Sequence, residues 1–479
     1  MDNSEENQQQ AQSPLHDSLF GGDSDRESNL EESARSPSRV ADQHDAINTV
    51  DALIIPPLQS LGDDQARVSN WEKDNPYLYS TWVTEPTIMS IVTTLKEAIG
   101  TDKEYTVQFL HDGVFSKLYD VSFDNQAFIM RISLPVWRHA KTESEVATLD
   151  WVGRYTSLRV PRVRAYDSLG NGPLGFEWIL MTKLEGKPLF ECWESVSMGL
   201  KERLVKQIAV FSASTFNQPF HGGIGSIYQP CMTNIDEVAP NPNASIHAVG
   251  EAVSMALFQG YRALLDYSRG PYFRISDWME SRLRFASSNL MKRLDYATDN
   301  SEVGTLHQLL ELTRNVKGLV PKFITSSTTL STILCHDALS LDNIFVNEDG
   351  IFMGVVDWQC IVCVPPHEAC QFPAFLQQKF DRFRDPIRAY YLTDEAYSRE
   401  LRRYEVTQLR KIYIEEMIDR APGFVDIWRE SANLRDYEAA VQNCDNEFTM
   451  KRVEKWVNAM ENGGDPAEMP KRLHEQLME

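Results

Sequence analysis

Two apolar runs meeting at an Asp-Gly dipeptide constrain this chain more than any other feature. In DNIFVNEDGIFMGVVDW (342–358), the runs IFV and IFMGVV flank Asp349-Gly350, and such a dipeptide between strand-like runs signals a hairpin turn. Pairing about that turn makes the numbers of opposed residues sum to roughly 699 or 700, which sets Asn343 opposite Asp357 to within one residue. Directly opposed residues carry Cβ atoms about 4.5–5.5 Å apart, so an amide oxygen and a carboxylate meet at the open end. That end reads either as an ordinary surface hairpin with polar tips or as a pair of hard oxygen ligands for Mg²⁺, which takes a few such groups plus substrate phosphates.

The flanking chain changes character once. TVQFLHDGVFSKLYDVSFDNQAFIMRISLP (106–135) alternates apolar and polar residues around turn formers, the pattern of an antiparallel sheet. KTESEVATLDWVGRYTSL (141–158) predicts a helix, with Thr142 and Glu145 at capping-box spacing and Val146, Leu149 and Val152 at helical spacing. VPRVRAYDS and FEWILMTKLEG add strands that end near Gly186. Beyond it, Leu204, Ile208 and Phe211 mark an amphipathic helix, and RRYEVTQLRKIYIEEMI is one of several later helical stretches. A sheet-rich first part and a mainly helical second part place the chain in the α+β class.

Composition limits the partners. The net charge of −22 over 479 residues disfavours nucleic acid, whose binders concentrate Lys and Arg to displace counterions. Residues 1–67 carry fourteen Asp and Glu against four Arg and no Lys, and they are too polar to repay the entropy of ordering, so a disordered acidic tail is expected there. No run of eighteen apolar residues and no secretory pattern is present, which points away from a membrane and toward a soluble cytoplasmic protein. Seven scattered cysteines argue against a disulfide framework.

CHDALSLDNIFVNEDGIFMGVVDWQ (335–359) resembles the catalytic loop and metal-binding strand of the aminoglycoside phosphotransferase family, a branch of the protein-kinase-like fold whose pattern is H-x-D-x-x-x-x-N-I, a hairpin, and I-D-W. The likeness extends over most of residues 105–370. It implies a bilobal protein-kinase-like fold: a small antiparallel-sheet N-lobe with one helix at 88–184, and a larger, mainly helical C-lobe at 185–479 carrying the catalytic loop and hairpin. It further implies that Asn343 and Asp357 hold Mg²⁺ against the phosphates of ATP, with a small-molecule hydroxyl as acceptor. By the same resemblance, the turn at Gly113 lies over the phosphates, and Arg131 takes the strand position of the usual phosphate-binding Lys, keeping the charge but changing its shape. Glu145 becomes its ion-pair partner, with the capping box to Thr142 as the alternative. The backbone from Met181 to Leu184 would bind adenine.

The same pattern leaves a gap. The base precedes the metal-binding Asn by five residues, and that position is Ala338. Asp337 stands one position early, and adjacent side chains on a loop point in different directions. His336 and the Leu339-Ser340 pair fix the register, and Asp342 reads as a further carboxylate or as a solvated turn residue. A general base typically contributes about 10²–10⁴-fold, so impaired catalysis and a pseudokinase that binds nucleotide without transfer both stand. Cys360, Cys363, His367 and Cys370 are spaced like a compressed zinc knuckle, or serve as small buried residues.

Overall fold

In the antiparallel hairpin of Ser116–Phe123 (β4) with Gln126–Ser133 (β5), Phe123 pairs with Gln126. Only Asp124 and Asn125 lie between the strands, both at positive φ of 51° and 57°, the geometry of a type I′ turn that residues of this type tolerate. Thr106–Asp112 (β3) pairs with β4 on the other side. Val163–Asp167 (β6) and Glu177–Thr182 (β7) complete a five-stranded antiparallel sheet of order β3-β4-β5-β7-β6. Strand alternation sorts its residues. Phe128, Met130 and Ile132 of β5 join Tyr119, Val121 and Phe123 in one apolar cluster, capped by Ile91 and Leu95 of the helix Ile88–Ile99 (α1). Arg131, between them, is sent to the opposite face.

The computed structural model describes residues 84–113, 115–229, 246–258, 260–324, 331–378, 380–469 and 472–477, together with two short paired strands, Ser69–Trp71 (β1) and Ser80–Trp82 (β2). The chain divides into two units, Met1–Asp51 and Ala52–Glu479, and every described residue falls in the second. The acidic tail expected at 1–67 lies outside the described residues.

On the Arg131 face lies the helix Ala140–Tyr155 (α2). It begins three residues earlier than the Thr142–Glu145 spacing suggests, and no capping box forms. Its N-cap, His139, contributes no side-chain bond to the helix end. Glu177 of β7 closes the helix instead, accepting from His139 N at 2.9 Å and from Thr142 Oγ1 at 2.6 Å. A carboxyl there suits the positive end of the helix, although burial pushes its pKa up to about 7. Glu145 is thereby left for another partner.

Past β7 the chain crosses to the helical part through Gly186 (φ 100°) and the short strand Lys187–Pro188 (β8). A Cβ at Gly186 would stand 2.2 Å from the Val346 carbonyl oxygen, so only glycine allows this crossing. Met198–Phe216 (α3) follows, then the small pair Ile227–Tyr228 (β9) and Ala248–Val249 (β10), and the helices Ile275–Tyr296 (α4) and Asn300–Gly318 (α5). Between α5 and the final helices sit Ile333–Cys335 (β11), Ile344–Val346 (β12), Phe352–Val355 (β13) and Val362–Val364 (β14). β11 pairs with β14, and β12 lies between β13 and β8. Asp394–Arg420 (α6), Pro422–Glu430 (α7), Ala432–Asn443 (α8) and Met450–Glu461 (α9) complete the α+β arrangement. The core of the helical part is built from Met279, Leu283, Val316, Tyr437, Trp456 and their neighbours. No described helix is long and apolar enough to cross a membrane.

Candidate functional site

The hairpin read from Asp349-Gly350 is present as β12 and β13. Its turn is held by Asn347, whose Oδ1 accepts from Asp349 N at 3.1 Å and Ile351 N at 2.8 Å, with Gly350 at φ 75°. Ile344 pairs with Val355, a sum of 699, but a bulge between Phe345 and Val346 shifts the register toward the turn. Beyond Ile344, Val356 N donates to the Asn343 carbonyl at 2.9 Å. Asn343 therefore faces Val356, and Asp357 lies one residue beyond direct opposition. Asp357 itself stands at φ 63°, a strained conformation for a residue with a Cβ, which ends the pleat and re-aims the carboxylate.

That carboxylate meets Arg131. The guanidinium is buried, donating from NH1 to Glu145 Oε1 at 2.7 Å and from NH2 toward Asp357 Oδ1 at 3.4 Å. Burial works against the Arg131 charge, but Glu145 and Asp357 outweigh it and hold its pKa above the ordinary value. One side chain thus joins the sheet, α2 and the end of the hairpin. Arg131 Nε and Glu145 Oε2 are buried with no partner among the described residues, polar capacity that suits an added polar ligand.

The loop before β12 is braced from within. Asn343 Nδ2 donates to the Ala338 carbonyl at 2.9 Å, and Ser340 N donates to the same oxygen at 2.8 Å. The Asn343 amide is thereby oriented with its nitrogen inward, leaving Oδ1 as the group able to serve a cation. His336 is buried edge-on against Trp358, ring centroids 4.7 Å apart, with Nε2 3.4 Å from the Val356 carbonyl. Burial lowers its pKa, so it acts as a neutral wedge tying the loop to the strand before Asp357. Asp337 and Ala338 are both exposed. Although Asp337 reaches solvent, the protein on its other side raises its pKa and the Asp357 charge adds to that, while His336 opposes it. Asp342, exposed, accepts from Ser340 Oγ at 3.4 Å.

Gly113 occupies the β3–β4 turn, its N donating to the Ser116 carbonyl at 2.8 Å. Met181 is built into the sheet opposite Ile129 and Val163. The amides of Thr182 and Lys183 donate to Arg162 and Ala127 carbonyls at 2.9 and 3.2 Å, so the sheet claims part of the stretch expected to bind adenine. Leu184 is the first residue past those bonds, and its Cδ1 lies where a Cβ on Gly354 would come within 2.8 Å. The connecting segment therefore packs directly on β13.

The zinc-knuckle spacing does not converge. Cys363 is buried in β14 opposite Leu334, whereas Cys360 packs with Phe115, Leu134 and Ala140. Among the described residues, the group with ligand atoms within 4.8 Å of one another is His367, Glu368 and Glu438. An extended strand separates side chains that are close in sequence, which is why the spacing misleads. Two polar residues that spacing did not single out also stand at this site: Glu177, which closes α2, and Lys141, buried one turn before Glu145. The i, i+4 relation of Lys141 to Glu145 is the signal that marks the latter.

The chain is similar to several known proteins. A subtelomeric hrmA-associated cluster protein of Aspergillus fumigatus is 31% identical over 165 residues, 34% of this chain and 32% of its own length. Clavilactone A biosynthesis cluster protein Y of Ampulloclitocybe clavipes is 25% identical, covering 55% of this chain and 61% of the relative. The mitochondrial altered inheritance of mitochondria protein 9 of Saccharomyces cerevisiae is 22% identical, covering 57% and 50%. The chain thus spans about a third of the first curated relatives it matches and under two thirds of these others. Among solved structures, a thermostable mutant of aminoglycoside phosphotransferase APH(4)-Ia, in ternary complex with AMP-PNP and hygromycin B, is 12% identical with a TM-score of 0.39, covering 78% of this chain and 99% of that one. The model of the phosphotransferase enzyme family matches residues 106–401, more than half of the sequence. By that match, the chain belongs to the APH phosphotransferase enzyme family.

Proposed function

We propose that this protein binds ATP with Mg²⁺ between the sheet and the helical part and transfers the terminal phosphoryl group, slowly, to a hydroxyl of a small molecule. The observation that carries this reading is the Arg131 bridge, 2.7 Å to Glu145 and 3.4 Å to Asp357, which joins the two parts of the fold at the expected metal ligand. Asn343 Oδ1 and the Asp357 carboxylate would hold the cation, whose chemistry is to neutralise phosphate charge as the bond to the leaving oxygen breaks. Arg131 and Glu145 orient Asp357. The Gly113 turn would cover the phosphates, and the backbone at Leu184 would meet the base.

The acceptor hydroxyl must lose a proton, and no carboxylate stands at position 338 to take it. Transfer passes through a loose transition state in which positioning and charge neutralisation dominate, so weak turnover survives this loss. Asp337 is one residue out of place. Ala338 also favours a second reading, a nucleotide-binding protein without transfer.

Titration calorimetry with ATP and Mg²⁺, followed by transfer of labelled phosphate to a panel of hydroxylated metabolites, tests both. Binding with slow label transfer supports the kinase, and binding with none supports the second reading. Absence of binding at millimolar ATP contradicts both.

A further inference from the structure

One buried ammonium beside the site makes no hydrogen bond among the described residues. Lys141 lies in α2 one turn before Glu145, so the two side chains share a helix face. It is only 3% exposed, and its Nζ has no partner among the described residues. Two groups lie within reach of its charge. One is the Cys360 thiol, three residues past Asp357, which also feels Glu145, Asp357 and Asp337. The other is the Glu177 carboxyl, whose oxygens are already occupied by Thr142 Oγ1 and His139 N. Cys360 in turn packs with Phe115 from the β3–β4 connection and with Ala140. Lys141 therefore stands where that connection, α2 and the segment after Asp357 converge.

An ammonium withdrawn from water without an anion carries a large desolvation penalty. Glu177, the carboxyl that feels the Lys141 charge, has its oxygens taken by Thr142 and His139, so the ammonium keeps its donors open to a further anion. Arg131, in the strand position expected to bind phosphate, is committed to Glu145 through one terminal nitrogen and to Asp357 through the other. The site thus has one cation engaged by carboxylates and a second with no acceptor among the described residues.

We propose that Lys141 is a phosphate-binding residue, its ammonium receiving the terminal phosphates of the nucleotide that Arg131 is too engaged to neutralise alone. The assignment rests on the nucleotide-binding reading above. It makes α2 more than a support for Glu145, because the helix then carries a ligand-binding group of its own.

The test compares wild type, Lys141→Met and Lys141→Arg as full chains. Melting temperature is measured without ligand, and affinity is measured for ATP with Mg²⁺ and for adenosine. Methionine removes an unpaired buried charge, so the unliganded melting temperature holds or rises. ATP affinity falls at least tenfold, adenosine affinity stays within twofold, and arginine restores part of the ATP affinity. An ATP affinity unchanged in Lys141→Met overturns the assignment. So does an unliganded melting temperature that drops by several degrees, since that would reveal a structural partner for the ammonium. Wild-type protein that binds adenosine and ATP equally well also refutes it. Wild-type protein that binds neither contradicts the nucleotide reading itself, and the assignment with it.

Discussion

Arg131 and Glu145 form a buried ion pair, 2.7 Å between NH1 and Oε1, with side chains 8% and 1% exposed. The pair closes α2 onto β5, and its second guanidinium nitrogen leans on Asp357. Removing one partner strands the other charge in the interior, whereas removing both does not.

Glu145→Leu and Arg131→Met should therefore each destabilise the fold by about 3–5 kcal/mol, the range for breaking a buried pair. The double variant should lose clearly less than the sum of the two. Urea unfolding of the four proteins, read as a double-mutant cycle, checks this; strict additivity would show that the pair is not coupled.

Position 338 is exposed and its carbonyl is already held by Asn343 Nδ2, so a carboxylate there needs no rearrangement of the loop. Ala338→Asp should raise label transfer, by up to about 10²–10⁴-fold if the missing base is what limits turnover. Asp337→Ala should leave wild-type transfer within a factor of a few. A large loss in Asp337→Ala would instead make Asp337 the base.

Glu177 gives the fold a pH dependence of unusual sign. Burial raises its pKa from 4.5 to about 7, so between those values the folded state binds more protons than the unfolded state. Stability attributable to this group is greatest below pH 4.5, declines as pH rises toward 7, and levels off above it. The shift corresponds to roughly 3 kcal/mol. Glu177→Gln should remove this decline while keeping an acceptor for His139 N, as denaturation midpoints across pH 5–8 would show. A wild-type slope retained in the variant would assign the effect elsewhere.

Gly186 is a backbone requirement. At φ 100°, with Val346 O only 2.2 Å from any added Cβ, Gly186→Ala should destabilise by about 1–3 kcal/mol and loosen β8 from β12. Hydrogen exchange at Val346 and Asn347 would report the loosening, and unchanged protection there would contradict it.

Much of this site is legible in sequence because its parts are local. The Asp349-Gly350 turn sets the hairpin to within one residue, and alternation along β5 places Arg131 on the face opposite the sheet's apolar cluster. What sequence hides is non-local or strained. The bulge after Phe345 and the positive φ of Asp357 have no compositional mark, yet together they decide where the carboxylate points. The Thr142–Glu145 spacing fits a capping box, but a distant residue, Glu177, takes Thr142 and frees Glu145 for Arg131. The cysteine spacing after Trp358 misleads for the same reason, since strand geometry and separate packing clusters override proximity in sequence.

On the proposed reading, Asp357, steadied by Arg131 and set beside Asn343, holds a magnesium ion against nucleotide phosphates. Melting temperature measured with ATP, in Mg²⁺ and in EDTA, for wild type and Asp357→Asn tests it most directly, because a ligand bound to the native state must stabilise it. Wild type should show a rise of several degrees that requires Mg²⁺, and Asp357→Asn should lose that magnesium-dependent rise. An equal magnesium-dependent rise in both proteins would contradict it.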